Sequence, residues 1–116
     1  MALHTTFHLT AGLTIAVVRG DIDRATVQRF STDLSRGLAL STRGLVVDLT
    51  GADFVDASGI DALVHARDSA DLHRKRLSLY APRPQLHALL RLIGPTERFD
   101  IEPQLLDACD DERDQA

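Results

Sequence analysis

The sequence predicts an α/β domain: a small, mixed, mostly parallel sheet preceded by an N-terminal hairpin, with helices alternating with strands. Three observations carry this. Two short strand-like segments, Thr5–Thr10 and Leu13–Val18, are separated only by Ala11-Gly12, the pattern of a hairpin. A run with few charges, Leu45 to Thr50, reads as a strand covered on both faces. After the hairpin, apolar residues recur at helical spacing between strand-like runs, and that alternation implies parallel pairing with right-handed crossovers.

The elements follow in order. Phe7 and Leu9 alternate with polar neighbours in the first strand, and the second is rich in β-branched residues. Gly20-Asp21-Ile22-Asp23 ends the second strand, with Asp23 as candidate N-cap of a helix from about Ala25 to Leu40. Val27, Phe30, Leu34 and Leu38 form its buried stripe; Gln28, Arg29, Asp33 and Arg36 fall on other faces, and Gly37, a weak helix former, lies inside the pattern near its last turn. Ser41 to Gly44 is a loop, and the central strand follows.

The stretch from Leu45 to Val64 organises the chain. Its strand passes through a loop, Gly51 to Asp56, into a helix from Ser58 to about Arg74. Open α/β sheets bind ligands and partners at such strand-to-helix junctions. Ser58 reads as the N-cap, and Asp61 three residues on gives an Asp variant of the capping box. Asp56 closes the loop with a carboxylate, and Gly59 leaves room beside the serine for another molecule. Ile60, Leu63 and Val64 point inward, away from Asp61, Asp68 and Asp71. His73, Arg74, Lys75 and Arg76 suit the negative end of the helix dipole.

Leu77 to Ala81 is the next strand. Pro82-Arg83-Pro84 opens a third helix with Leu86, Leu89, Leu90 and Ile93 on its buried face, and Gly94-Pro95 ends it. Phe99 to Ile101 forms a short edge strand, and Pro103 to Ala108 a last helical turn or two. Residues 1–109 make one domain, and 110–116 an acidic, disordered tail.

Composition narrows the function. The chain has 116 residues and is 44% hydrophobic and 26% charged, as expected of one globular domain. Four Phe, one Tyr and no Trp leave an aliphatic core and no base-stacking platform. With a formal net charge of -4, no basic footprint for nucleic acid appears, and Lys75 is the single lysine among thirteen basic residues. Cys109 stands alone, so neither a disulfide nor a cysteine metal site forms within one chain. The N-terminus, MALHTTFHLT, lacks a signal pattern and no run is long enough to span a membrane, so a cytoplasmic protein is expected.

Catalysis is not expected. Ala57-Ser58-Gly59 lacks the Gly-x-Ser-x-Gly arrangement of a nucleophile elbow. His4, His8, His65, His73 and His87 show no metal-pair spacing, and no phosphate-binding loop of the Gly-x4-Gly-Lys-Ser/Thr type exists. No cofactor is implied.

Taken together, Gly20-Asp21-Ile22-Asp23, the segment Leu45 to Val55, Asp56-Ala57-Ser58-Gly59-Ile60, Pro84 to Gly94 and Phe99 to Ile101 resemble the STAS domain family of bacterial anti-sigma factor antagonists. The resemblance covers nearly the whole chain. It implies a protein that binds an anti-sigma factor serine kinase and is released when the kinase phosphorylates a serine after the central strand. A phosphatase then resets the switch. By motif that serine is Ser58, with Asp56 the acidic residue before it and Asp21 and Asp23 the acidic pair nearby. The implied partner surface is Asp21, Asp23, Asp56, Ala57, Ser58 and Gly59, on a monomer or weak dimer. Ala57 departs from the family, which often carries a second hydroxyl there, so Ser58 is the single candidate. The family also implies a second reading: a non-phosphorylated subunit acting as scaffold or small-ligand sensor in a larger complex.

Overall fold

A computed structural model describes residues 3–80, 84, 88, 90 and 99–102. The elements run β1 (Leu3–Thr10), β2 (Leu13–Ile22), α1 (Val27–Leu40), β3 (Gly44–Val55), α2 (Ala57–Leu72), β4 (Arg76–Tyr80) and β5 (Asp100–Ile101). The strands form one sheet in chain order; β1 pairs antiparallel with β2, and all other pairs are parallel. The expected mixed sheet with an N-terminal hairpin is present. Of the third helix, Pro84, Ala88 and Leu90 are helical and Leu90 is buried; Leu86, Leu89, Ile93 and Gly94-Pro95 lie outside the described residues. So do Ala81, the segment Pro103 to Ala108, Cys109 and the tail. Among the described residues no helix is long and apolar enough to cross a membrane.

The hairpin turn uses Ala11 and Gly12 with φ of 51° and 85°, as the twist-matched two-residue turn requires. The Gly12 carbonyl accepts from the backbone N–H groups of Thr42 and Arg43, which ties the turn to the loop before β3.

Both helices cover one face of the sheet. Phe30 and Leu34 of α1 and Leu63 of α2 are fully buried against Ala16, Val18, Val47, Leu49 and Leu79. Removing one such side chain from water stabilises the fold by about 1.5–3 kcal/mol. β3 is buried on both faces from Gly44 to Leu49, as expected of a central strand.

Three expectations change on α1 and its surroundings. The helix begins at Val27 rather than Ala25, because residues 24–26 form a turn first. Asp33 is buried, not on an outer face. It lies on the Phe30–Gly37 side of the helix, which faces the sheet; its Oδ1 sits 3.5 Å from Arg29 Nε, and its Oδ2 has no hydrogen-bond partner among the described residues. The Lys75 backbone N–H donates to the Ala70 carbonyl at the end of α2, but its ammonium does not serve that helix. Lys75 follows α2, and its Nζ donates to the Leu38 carbonyl at 2.6 Å, so it caps the C-terminus of α1.

Gly37 does not weaken α1, which runs on to Leu40. It is a contact point: a Cβ there would lie 2.8 Å from Leu45 Cδ1 and 3.2 Å from Phe7 Cε1. Gly37→Val is expected to destabilise the fold by about 1–3 kcal/mol through overpacking. Chemical denaturation would measure it, and unchanged stability would mean that the helix can lift from the sheet at no cost.

Candidate functional site

The site is built where β2 and β3 end. Residues 51 to 55 were expected in a loop, but β3 continues to Val55 alongside an equally extended β2. Two register shifts make this possible, one between Val17 and Arg19 and one between Gly20 and Asp21. Each inserts an extra β3 residue against β2, the arrangement of a bulge. As a result Leu49, Ala52 and Val55, three apart, all turn to the helix side, while Thr50, Asp53 and Phe54 are exposed. Gly20 takes φ of 108° within this region, a backbone state that disfavours side-chain-bearing residues.

Asp56 is the hub. Its backbone N–H donates to the Ile22 carbonyl, which ties the end of β3 to the end of β2. Its Oδ1 accepts from Ser58 N at 2.9 Å, from Gly59 N at 3.3 Å and from Ser58 Oγ at 2.5 Å. Asp56 is therefore the N-cap of α2, and Ser58 is the second residue of the helix. This corrects the expectation that Ser58 caps the helix in a box with Asp61. Asp outcompetes Ser here because it sits one residue before the first helical position with extended backbone, where its carboxylate can reach the free N–H groups. The Ser58 hydroxyl, with help from the Gly59 and Ser58 N–H groups, holds the Asp56 carboxyl below its ordinary range.

Gly59 also has a different role from the one expected. It is buried, and a Cβ there would lie 2.7 Å from Ile22 Cγ2 and 2.9 Å from Val55 Cγ1. Its missing side chain admits the protein's own strands, not an approaching molecule.

The acidic pair splits. Asp23 caps the turn before α1 rather than the helix itself: its Oδ1 accepts from Ala25 N at 3.0 Å and Thr26 N at 3.2 Å. The Asp21 carboxylate makes no hydrogen bond among the described residues, although its backbone carbonyl accepts from Thr26 Oγ1 at 2.7 Å. Asp21 stands level with Phe54 in the ladder. Phe54 is 54% exposed, the one aromatic side chain among the large exposed apolar residues described. Treating this stretch as a loop missed it; the available signal was a rare aromatic set between Asp53 and Asp56. Exposed Ala57 and half-buried Ser58 complete a surface with Asp21, Asp56 and Phe54. His65 and His73 are exposed further along α2, and His73 Nδ1 is engaged with the Ser69 carbonyl. Among the described residues no cluster of three or more His, Cys, Asp or Glu could hold a metal.

The model of the STAS domain family matches residues 6–108. No curated protein sequence matches the chain. Among solved structures, an anti-sigma factor antagonist from Mycobacterium paratuberculosis is 22% identical with a TM-score of 0.73, covering 97% of this chain and 95% of that one. The anti-sigma factor antagonist SpoIIAA in its unphosphorylated form is 17% identical with a TM-score of 0.69, covering 97% of this chain and 98% of that one. The murine anion transporter Slc26a9 carries a similar domain, 20% identical with a TM-score of 0.71, covering 87% of this chain and 18% of the transporter. At these identities the likeness is one of fold.

Two stability effects follow from the hub. Asp56→Ala removes the cap and is expected to lower the stability of the fold. Ser58→Ala removes one hydrogen bond and is expected to cost less, about 0.5–1.5 kcal/mol. Because the folded state lowers the Asp56 pKa, the charged cap stabilises the fold above the ordinary carboxylate range near 3.8 and is lost as pH falls through the lowered value. Thermal melts between neutral and acid pH should therefore show a smaller acid-induced loss in Asp56→Asn than in the parent. A larger penalty for Ser58→Ala than for Asp56→Ala would remove Asp56 from its role as cap.

Proposed function

The chain belongs to the STAS domain family, and from that premise we propose that it is an anti-sigma factor antagonist switched by phosphorylation of Ser58. It binds an anti-sigma factor that is a serine kinase and frees the sigma factor from it. The kinase phosphorylates Ser58 and the complex breaks; a phosphatase restores the free hydroxyl. Asp21, Phe54, Ala57 and Ser58 form the docking surface, flanked by Asp56 and Asp23. Gly59 supports it from behind.

One arrangement supports this reading above the rest: a half-exposed serine hydroxyl at the second position of α2, donating to the carboxylate that caps the same helix. A phosphoserine there has no proton to donate to Asp56. It carries about -1.5 to -2 charge at neutral pH. The helix N-terminus favours that charge, so the isolated domain tolerates it. A docked partner meets it beside Asp56 and Asp21, with like-charge repulsion and the cost of stripping water from a dianion. Fold and binding thus respond differently to one group.

Mass spectrometry after incubation with the anti-sigma kinase of its own organism and ATP should find one phosphate, on Ser58. In titration calorimetry Ser58→Ala should bind that kinase much as the parent does. Ser58→Asp should bind at least tenfold more weakly, a loss of about 1.4 kcal/mol or more. Its aspartate faces Asp56 without a donor, so a modest loss of stability is also expected. Asp21→Lys and Phe54→Ala test the surface without touching the Asp23 turn or the Gly59 contact. Equal affinity of the parent, Ser58→Ala and Ser58→Asp would overturn the switch.

A further inference from the structure

The two edges of the sheet are protected very differently. An exposed edge offers a row of free N–H and C=O groups to any passing strand, and proteins usually blunt it with charge, proline, a bulge or brevity. β5 is two residues long, and Arg76 engages Asp100 at 3.3 Å and Glu102 at 3.8 Å beside it. β1 has none of these devices. It runs eight residues, Leu3–Thr10, without Asp, Glu, Lys, Arg, Pro or Gly. It pairs with β2 in unbroken register and is an outermost strand of the described sheet, with Leu9 53% exposed.

The hairpin fixes which backbone groups are free. Across a two-residue turn the flanking residues, Thr10 and Leu13, are a hydrogen-bonded pair. Antiparallel ladders then alternate, so the N–H and C=O groups of Leu3, Thr5, Phe7 and Leu9 point away from β2.

The sequence of this edge reads nearly the same in both directions. From Leu3 to Leu9 it is Leu-His-Thr-Thr-Phe-His-Leu, and about Thr6 only Thr5 and Phe7 fail to match. Antiparallel pairing of a strand with its own copy relates residues by a two-fold axis, so each side chain meets its mirror position. A palindromic strand is complementary to itself.

We propose that β1 pairs antiparallel with β1 of a second copy of this chain about a two-fold axis at Thr6. Leu3 then pairs with Leu9 of the partner subunit, and Thr5 with Phe7 of the partner subunit, all through their outward backbone groups. His4 faces His8 of the partner subunit, and Thr6 faces its own copy, in the closer pairs without hydrogen bonds. The register keeps both helix layers on one side of the joined sheet. Aromatic–β-branched cross-strand pairs of the Phe–Thr kind add side-chain stabilisation. Assembly stops at two, because each β1 edge is consumed and both outer edges are the guarded β5. Leu3 lies level with Gly20, at the Ser58 end of the molecule, and Leu9 level with Thr14 at the other end. The two Ser58 sites therefore face opposite ways and stay open. Dimerisation is independent of the switch at Ser58.

Sedimentation equilibrium from about 1 µM to about 1 mM should show a reversible monomer–dimer equilibrium. Thr6→Lys places like charges opposite one another at the axis and should weaken the dimer at least tenfold, with an unchanged far-UV circular dichroism spectrum. As a second measurement, Thr6→Cys in a Cys109→Ser background should oxidise readily to a cross-linked dimer. Directly opposed residues in such pairs have Cα atoms about 4.5 Å apart, within the span of a disulfide. Thr50→Cys, exposed on β3, is the control. A parent protein that stays monomeric throughout, a dimer that Thr6→Lys leaves intact, or Thr6→Cys cross-linking no faster than Thr50→Cys would each overturn the proposal.

Discussion

The Asp56 carboxylate is the point on which the functional end of this molecule depends. One oxygen caps α2 and holds the Ser58 hydroxyl. The same residue's N–H fastens β3 to β2 at Ile22. Helix starts leave N–H groups that need acceptors, and this acceptor also fixes where the serine oxygen points. The direction of the hydroxyl is thus a by-product of helix capping, so local stability and the candidate switch share one set of atoms.

A second constraint keeps that arrangement rigid. Gly59 lets the first turn of α2 lie directly on Ile22 and Val55, and Gly37 lets α1 lie on Leu45 and Phe7. Close-packed interiors tolerate neither extra volume nor voids well. Two glycines at helix–sheet contacts therefore define how near the helices approach, and hence how far the Ser58 surface stands from the sheet.

The architecture was readable from the sequence because its strongest signals are periodic. Phe30, Leu34 and Leu38 at helical spacing, and the uncharged run Leu45–Val47, gave the right elements and the right pairing. The end of β3 was not readable for the same reason. Bulges convert the inward set to Leu49, Ala52 and Val55, a spacing of three in place of the two that marks a flat strand. The site suffered with it: Ser58 and Asp56 stand out in the sequence, but the cap falls to Asp56 rather than Ser58, and Phe54 is lost in an apparent loop. Asp23 and Asp21 look equivalent in sequence, yet one carboxylate is occupied by the turn it forms and the other is not. Which acceptor captures a free N–H is decided by one residue of helix phase, and spacing alone does not set that.

Lys75 reaches across to the last turn of α1, and it is the single lysine of the chain. Its ammonium is committed to the Leu38 carbonyl at the joint where the two helices end. Amine-directed reagents acylate only the neutral, accessible form, so opening of the joint speeds their reaction at this part-buried position. Local opening of this kind has its own free energy, lower than that of global unfolding. Apart from the α-amino group, Lys75 is therefore the one amine of the chain, and its acylation rate responds to how often the two helix ends part.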